Sequence, residues 1–287
     1  MYKINEISPL RSDFLNILSS IEPDLKKIYY IGKLPEKRQI TVAIVGSRKP
    51  TAYGREITYK IAYNLASRGA VIVSGLALGV DAIAHRGALD AGGITITVQA
   101  NGLNRILPMT NRQLGEQIIA QNGAVISEYS PEVPASRYSF LRRNRIVSGI
   151  SDAVIITEAA SRSGTLNTAS HALNQGKDLY IVPGDITSPL SAGCNSLLKQ
   201  GANPIISIED AVQSIIPQPS SDILSQKPRG ANEAEQKIID LIASDVRDGE
   251  AIHKQSKLEA SEFNQTLTIL EIKGVIQPLG ANQWQLK

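Results

Sequence analysis

Six short, nearly continuous apolar runs most constrain the fold of this chain: TVAIVG (41–46), AVIVSG (70–75), ITITVQ (94–99), AVISEY (124–129), AVIITEA (153–159) and LYIVPG (179–184). Near-continuous apolar runs of this length predict strands buried on both faces, as in a parallel sheet. Helical patterns separate them. Tyr53–Arg68 places Ile57, Ile61 and Leu65 along one face, and Val80–Ala91 follows the second run. Strand–helix repetition predicts an α/β fold: an extended Rossmann-like, doubly wound, mostly parallel sheet. The domains expected are an N-terminal extension over 1–40, a Rossmann-like domain over 41–216, a linker over 217–231 and a small C-terminal domain over 232–287. The linker prediction rests on its prolines and serines and its scarcity of apolar residues.

In doubly wound folds, ligands sit beyond the carboxyl ends of the strands, beside helix N-termini. The loops there are rich in small residues: Gly46-Ser47-Arg48, Gly75 with Gly79, Asn101-Gly102, Ser161 through Thr165, and Pro183-Gly184. Uncovered backbone N–H groups beside Arg48 predict an anion cradle. Each glycine alone is explained equally well by loop conformation.

The run RYSFLRRNRIVSG (137–149) adds Arg137, Arg142, Arg143 and Arg145, and the first carboxylate after it is Asp152. Guanidiniums without local acids suit bidentate phosphate binding. The competing reading is a basic helix neutralised by distant acids. Residues 1–230 hold 24 Lys and Arg against 18 Asp and Glu, whereas residues 231–287 hold 6 against 9. The first part is therefore where a polyanion is expected.

The tail reads as three helices, Glu233–Ala243, about Glu250–Lys257 and about Ser261–Lys273, followed by a two-stranded wing. This is the winged-helix plan, whose third helix usually enters the DNA major groove. Here that helix carries Glu262 and Glu271 and no cation before Lys273, so a protein partner is expected in place of DNA.

Other chemistry is weakly signalled. The histidines His85, His171 and His253 are scattered, and no metal or cofactor site is predicted. Asp81 and His85, one helical turn apart, suit either a general-base or metal couple or a local capping contact, with capping favoured. The single cysteine, Cys194, has no basic neighbour in sequence, suits a reducing compartment and is expected to be structural. With no signal-peptide core and no run long enough to span a membrane, a cytoplasmic protein is expected. A nucleotide enzyme remains the alternative: Glu158 and Ser163-Gly164-Thr165 suit a ribose and a phosphate, as in Rossmann-type phosphoribohydrolases. The acid such enzymes need one turn later is replaced by Asn167 and Ser170.

The residues VAIVGSR (42–48), YG (53–54), VSGLALGVDAIAHRGAL (73–89), NGLNRILP (101–108), ISEYSP (126–131), FLRRNRIVSGIS (140–151), EAASRSGTLNTA (158–169), VPG (182–184) and GCNSLLKQGA (193–202) occur in an order and spacing that resembles the DNA-processing protein A (DprA/Smf) family. The likeness covers nearly the whole chain. It implies a non-enzymatic protein that binds and protects single-stranded DNA and loads the RecA recombinase in natural transformation and recombination, acting as a homodimer. By position, the implied DNA pocket comprises Gly46, Ser47, Arg48, Phe140, Arg143, Asn144, Arg145, Ser163, Gly164 and Thr165, with Lys177 a weaker backbone contact. Phe140 suits base stacking or the core about equally. Electrostatics are expected to dominate the affinity. The edge around Ile205–Val212 is the expected dimer face. The sequence departs from the family at Leu78, usually arginine, and at Leu141, usually a proline that stiffens the helix start, and the N-terminal helical domain common in the family is not seen.

Overall fold

The computed structural model describes residues 2–216, 230–244, 246–280 and 282–286. It divides into two compact units, 1–216 and 217–287. Most of the predicted linker, 217–229, lies outside the described residues.

The larger unit is built on nine strands: β1 (Asn5–Ile7), β2 (Ile28–Gly32), β3 (Thr41–Val45), β4 (Val71–Ser74), β5 (Thr95–Val98), β6 (Ala124–Ser127), β7 (Ala153–Ile156), β8 (Asp178–Ile181) and β9 (Asn203–Pro204). The sheet order is β1-β2-β6-β5-β4-β3-β7-β8-β9. From β3 to β9 all pairings are parallel, and the six apolar runs are its central strands. The Val, Ile and Ala side chains of β3, β4 and β7 are fully buried, as the unbroken apolar pattern requires. The N-terminal extension does more than lead into β3. It adds β1 and β2 as antiparallel edge strands and sends Phe14, Leu15 and Leu18 into the core.

Helices α1 (Ala52–Ala66), α2 (Val80–Asp90), α3 (Arg112–Ala120), α4 (Arg137–Gly149), α5 (Thr165–Asn174), α6 (Ala192–Lys199) and α7 (Ile208–Ile215) cover the two faces. From β3 the chain winds outward through β4, β5 and β6, then returns to place β7 on the other side of β3. That reversal makes the crevice beyond β3 and β7 the topological switch point, where such sheets take ligands.

The smaller unit packs α8 (Glu233–Ala243), α9 (Gly249–Ser256) and α10 (Ala260–Ile272) with the antiparallel pair β10 (Ile276–Gly280) and β11 (Gln283–Leu286). Its core joins Ile238, Ile239, Ile242, Ile252, Phe263 and Leu270. The three helices and wing match the expected plan. Lys273, just past α10, is paired: its Nζ lies 2.7 Å from the buried Glu235 carboxylate, which also accepts the Ala231 N–H. The exposed side of α10 therefore keeps Glu262 and Glu271 without that cation.

Candidate functional site

A cleft of about 200 Å³ lies beyond β3 and β7, lined by residues that include Gly46, Arg48, Phe140, Arg143, Asn144, Ser163, Gly164 and Thr165. Loops widely separated in sequence meet there because every one of them follows a parallel strand on the same sheet edge. The β3–α1 loop is pinned by the Ser47 N–H to the Glu158 carbonyl (2.7 Å) and by the Lys49 N–H to the Ser47 hydroxyl (3.1 Å). Across the crevice, the Thr165 hydroxyl donates to the Gly46 carbonyl at 3.1 Å, and the Ser163 hydroxyl donates to Thr165 at 2.9 Å. Gly164 begins α5 in open space, where an added Cβ would meet nothing. Among the described residues neither its N–H nor that of Arg48 has an acceptor. Free N–H groups at a helix start are favourable partners for an anion.

Arg48 is exposed, and its guanidinium stands 5.9 Å from the centre of the Phe140 ring. Phe140 is 39% exposed and lines the cleft, so its core alternative does not hold. The third wall is the β4–α2 loop. Asp81, almost wholly buried, accepts the N–H groups of Gly75 (3.1 Å) and Ala77 (3.2 Å). From the far side, the Asn111 amide donates to the carbonyls of Leu76 (2.9 Å) and Ala77 (3.2 Å). Gly79 has φ +80, and a Cβ there would strike the Ser47 carbonyl, so glycine is required where the two loops touch.

Arg143 lines the cleft from beneath and is 6% exposed. Its guanidinium donates to the Gly75 carbonyl at 2.8 Å and to the Val98 carbonyl, bridging the ends of β4 and β5. A side chain at Gly75 would collide with it. Burial pushes the Arg143 pKa down, opposed by attraction to Asp81. Burial likewise pushes Asp81 up, while Arg143 and the two N–H groups pull it down. The two charges compensate each other, which leaves Arg48 as the exposed cation of the cleft lining.

Two expected members lie elsewhere. Arg145 is 2% exposed and turned away from the cleft, its Nη2 2.6 Å from the buried Glu128 carboxylate and its Nη1 donating to the Pro23 carbonyl at 2.9 Å. Arg142 also pairs with Glu128, at 3.3 Å. For these two the distant-acid reading of the arginine run is the correct one, because Glu128 sits where the chain leaves β6 and α4 returns over it. Lys177 precedes β8 and so lies at the opposite sheet edge, beside Ser20, Glu22 and His171. The Leu141 departure is compensated locally: Ser136 and Ser139 cap the start of α4 reciprocally, fixing it without a proline.

Three further titratable residues, Glu158, His85 and Cys194, are structural. The Glu158 carboxylate accepts the Thr51 hydroxyl at 2.6 Å and the Thr51 N–H, closing the start of α1. Thr51 in turn accepts the Gly54 N–H. His85 does not meet Asp81. Its Nδ1 lies 2.7 Å from the Thr95 hydroxyl and burial drives its pKa down to about 3. Cys194 is buried, with its thiol pushed up to about 11. Among the described residues no three His, Cys, Asp or Glu side chains gather as metal ligands would.

The sequence points to the three loops, but it offers Asp81 as a cap or as half of a couple with His85, not as the residue that holds the β4–α2 loop, and it gives no sign of Asn111. A carboxylate in the first turn of a helix that follows a Gly-rich loop is a signal for holding that loop. The pairing of Asn111 with Leu76, 35 residues earlier, leaves no local trace.

These features define a Rossmann-like α/β protein with a cleft lined by Arg48, Arg143, Phe140 and the start of α5 at its topological switch point, and a winged-helix module. The chain belongs to the DNA recombination-mediator protein A family, whose model matches residues 7–216; the DprA winged helix domain matches 224–282. Protein Smf of Escherichia coli is 41% identical over 188 residues, covering 66% of this chain and 50% of that protein. The chain spans about half the length of such curated relatives. The structure of Streptococcus pneumoniae DprA superposes with TM-score 0.69 at 36% identity, covering 74% of this chain and 75% of that one. Helicobacter pylori DNA processing protein A, whose structure is described for its single-stranded-DNA-binding mode, gives TM-score 0.65 at 36% identity, covering 74% and 95%.

Proposed function

We propose that this protein binds single-stranded DNA in the cleft beyond β3 and β7, protects it in the cytoplasm, and hands it to RecA during transformation or homologous recombination. One observation carries the reading: Arg48, the open N-terminus of α5 and the half-exposed Phe140 converge on one cleft. An anion seat beside an aromatic face is what sequence-independent grip on a single strand needs. The kinship with a relative whose structure is described for its single-stranded-DNA-binding mode supports it.

In this reading Arg48 neutralises a phosphate, its N–H and that of Gly164 seat the oxygens, Ser163 and Thr165 hold the loop in shape through their own hydroxyl bonds, and Asn144 and Gly46 shape the wall. Arg143 holds the floor. A single small cleft grips few nucleotides, so a homodimer letting one strand engage two clefts would raise avidity. The proposed dimer face is the outer edge at β9 and α7, where Ile206 is 81% exposed beside buried Ile205 and Val212. The acidic α10 is proposed to meet protein, not duplex DNA.

A mobility-shift comparison of single- and double-stranded oligonucleotides at two salt concentrations tests the reading. Preference for the single strand, weakening with salt, is expected; equal binding of duplex removes it. Recombinase loading is tested by RecA filament formation on strand pre-coated with single-strand-binding protein, with and without this protein. The phosphoribohydrolase reading is disfavoured because the Glu158 carboxylate is occupied by Thr51. Release of free base from a nucleoside monophosphate, lost in Glu158→Gln, would revive it.

A further inference from the structure

The mouth of the cleft is less charged and more apolar than the arginine run suggests. Arg142 and Arg145 are committed to Glu128, and Arg143 to the floor. What the mouth shows to solvent is Phe140, Leu141 at 44% exposure and, beside the cleft-lining Ala77, Leu78 at 49%. The largest exposed group is Tyr138, 71% exposed on the first turn of α4. Single exposed apolar residues are ordinary on soluble proteins. Phe140 and Leu141 in the cleft lining, Leu78 next to Ala77, and Tyr138 further out on α4 form a surface that asks for an occupant.

Helix geometry relates them. Residues three and four apart are neighbours on a helix, so Phe140 lies above Arg143 on the cleft side, while Tyr138 lies between Leu141 and Arg142 at the outer border of that side. Leu141 also lines the cleft. The apolar surface therefore runs from the cleft through Leu141 out to Tyr138. Arg137 flanks it and, among the described residues, takes part in no ion pair. The reciprocal Ser136–Ser139 cap keeps the turn formed without a ligand.

We propose that the first turn of α4 is a nucleobase platform, with Tyr138 stacking the base that lies immediately outside the cleft and Arg137 meeting its phosphate. The occupant is the same single strand, because the surface continues the cleft and carries an unpaired cation. A π face serves every base, as a sequence-independent binder requires. The inference rests on the reading of the cleft as a single-strand site. It shifts part of the affinity from charge to stacking, with Leu78 and Leu141 as apolar contacts beside the cleft.

Fluorescence anisotropy on the full-length protein separates the two claims. The probes are oligo-dT and an oligonucleotide of equal length in which one central thymidine is flanked by abasic deoxyribose-phosphate units. Tyr138→Ala is expected to weaken oligo-dT binding by about tenfold or more, to leave binding of the abasic-flanked probe unchanged, and to leave the melting temperature unchanged. Tyr138→Phe is expected to retain wild-type affinity for both. Unchanged oligo-dT affinity in Tyr138→Ala, or an equal loss on both probes, overturns the platform. If Arg48→Ala leaves both probes bound at wild-type affinity, the cleft reading itself fails, and the platform with it.

Discussion

Near the start of α4, Arg137, Tyr138 and Leu141 face solvent. Further along the same helix, Arg143 and Arg145 are almost wholly enclosed and hydrogen-bonded to carbonyls and to Glu128. One residue type thus performs two jobs in one helix. An exposed guanidinium can exchange water for phosphate at little cost. A buried one has already exchanged water for protein oxygen and is held by what its loss would leave behind. Arg48 belongs to the first kind and Arg145 to the second, although both sit among motif residues.

The largest expected effect lies on the buried side. Arg145→Ala leaves the Glu128 carboxylate enclosed without its closest partner and frees the Pro23 carbonyl. Breaking a buried pair from one side costs about 3–5 kcal/mol, so urea unfolding should show a loss of that order. Arg145→Met combined with Glu128→Leu should recover most of it. Stability unchanged in Arg145→Ala would abolish the distinction between the two ends of α4.

His85 extends the test to the buried polar layer beneath the cleft. Its folded pKa, about 3, lies below the ordinary 6.5, so its contribution is present in full above 6.5 and is lost as the pH falls towards 3. The unfolded chain takes up the proton first, and the larger unit should lose roughly 1.4 kcal/mol per pH unit in that window. His85→Gln should flatten the dependence. An unaltered pH profile would show that the imidazole is not buried neutral.

On the exposed side, Arg48→Ala should weaken oligo-dT binding by about tenfold, roughly one charge-assisted contact, without lowering the melting temperature. The smallest effect is expected in the other unit: Glu262→Gln with Glu271→Gln should change oligo-dT affinity by less than about twofold, because only local phosphate contacts are strongly felt at ordinary ionic strength. A large gain would place α10 near the strand.

The six apolar runs made the sheet legible, and the small residues after β3, β4 and β7 made the cleft legible, because both follow from local chain chemistry. Lys177 was legible in principle as well, since a residue preceding a parallel strand must lie at the edge opposite the cleft. The roles of Arg143 and Arg145 were not. Two positions apart on a helix, they differ by about 200° in direction, and only the way α4 packs in the folded unit decides which guanidinium meets Glu128. Nor did the sequence disclose that residues 1–40 extend the sheet by two strands, because β1 and β2 are short and half-buried.

The salt dependence of oligo-dT affinity, measured by anisotropy for the wild type, Arg48→Ala and Arg145→Met under conditions where all three are folded, tests the central claim most directly. Arg48→Ala should flatten the slope of log affinity against log salt by about one phosphate contact, whereas Arg145→Met should bind with the wild-type slope. A wild-type slope in Arg48→Ala together with a flattened one in Arg145→Met would contradict the account.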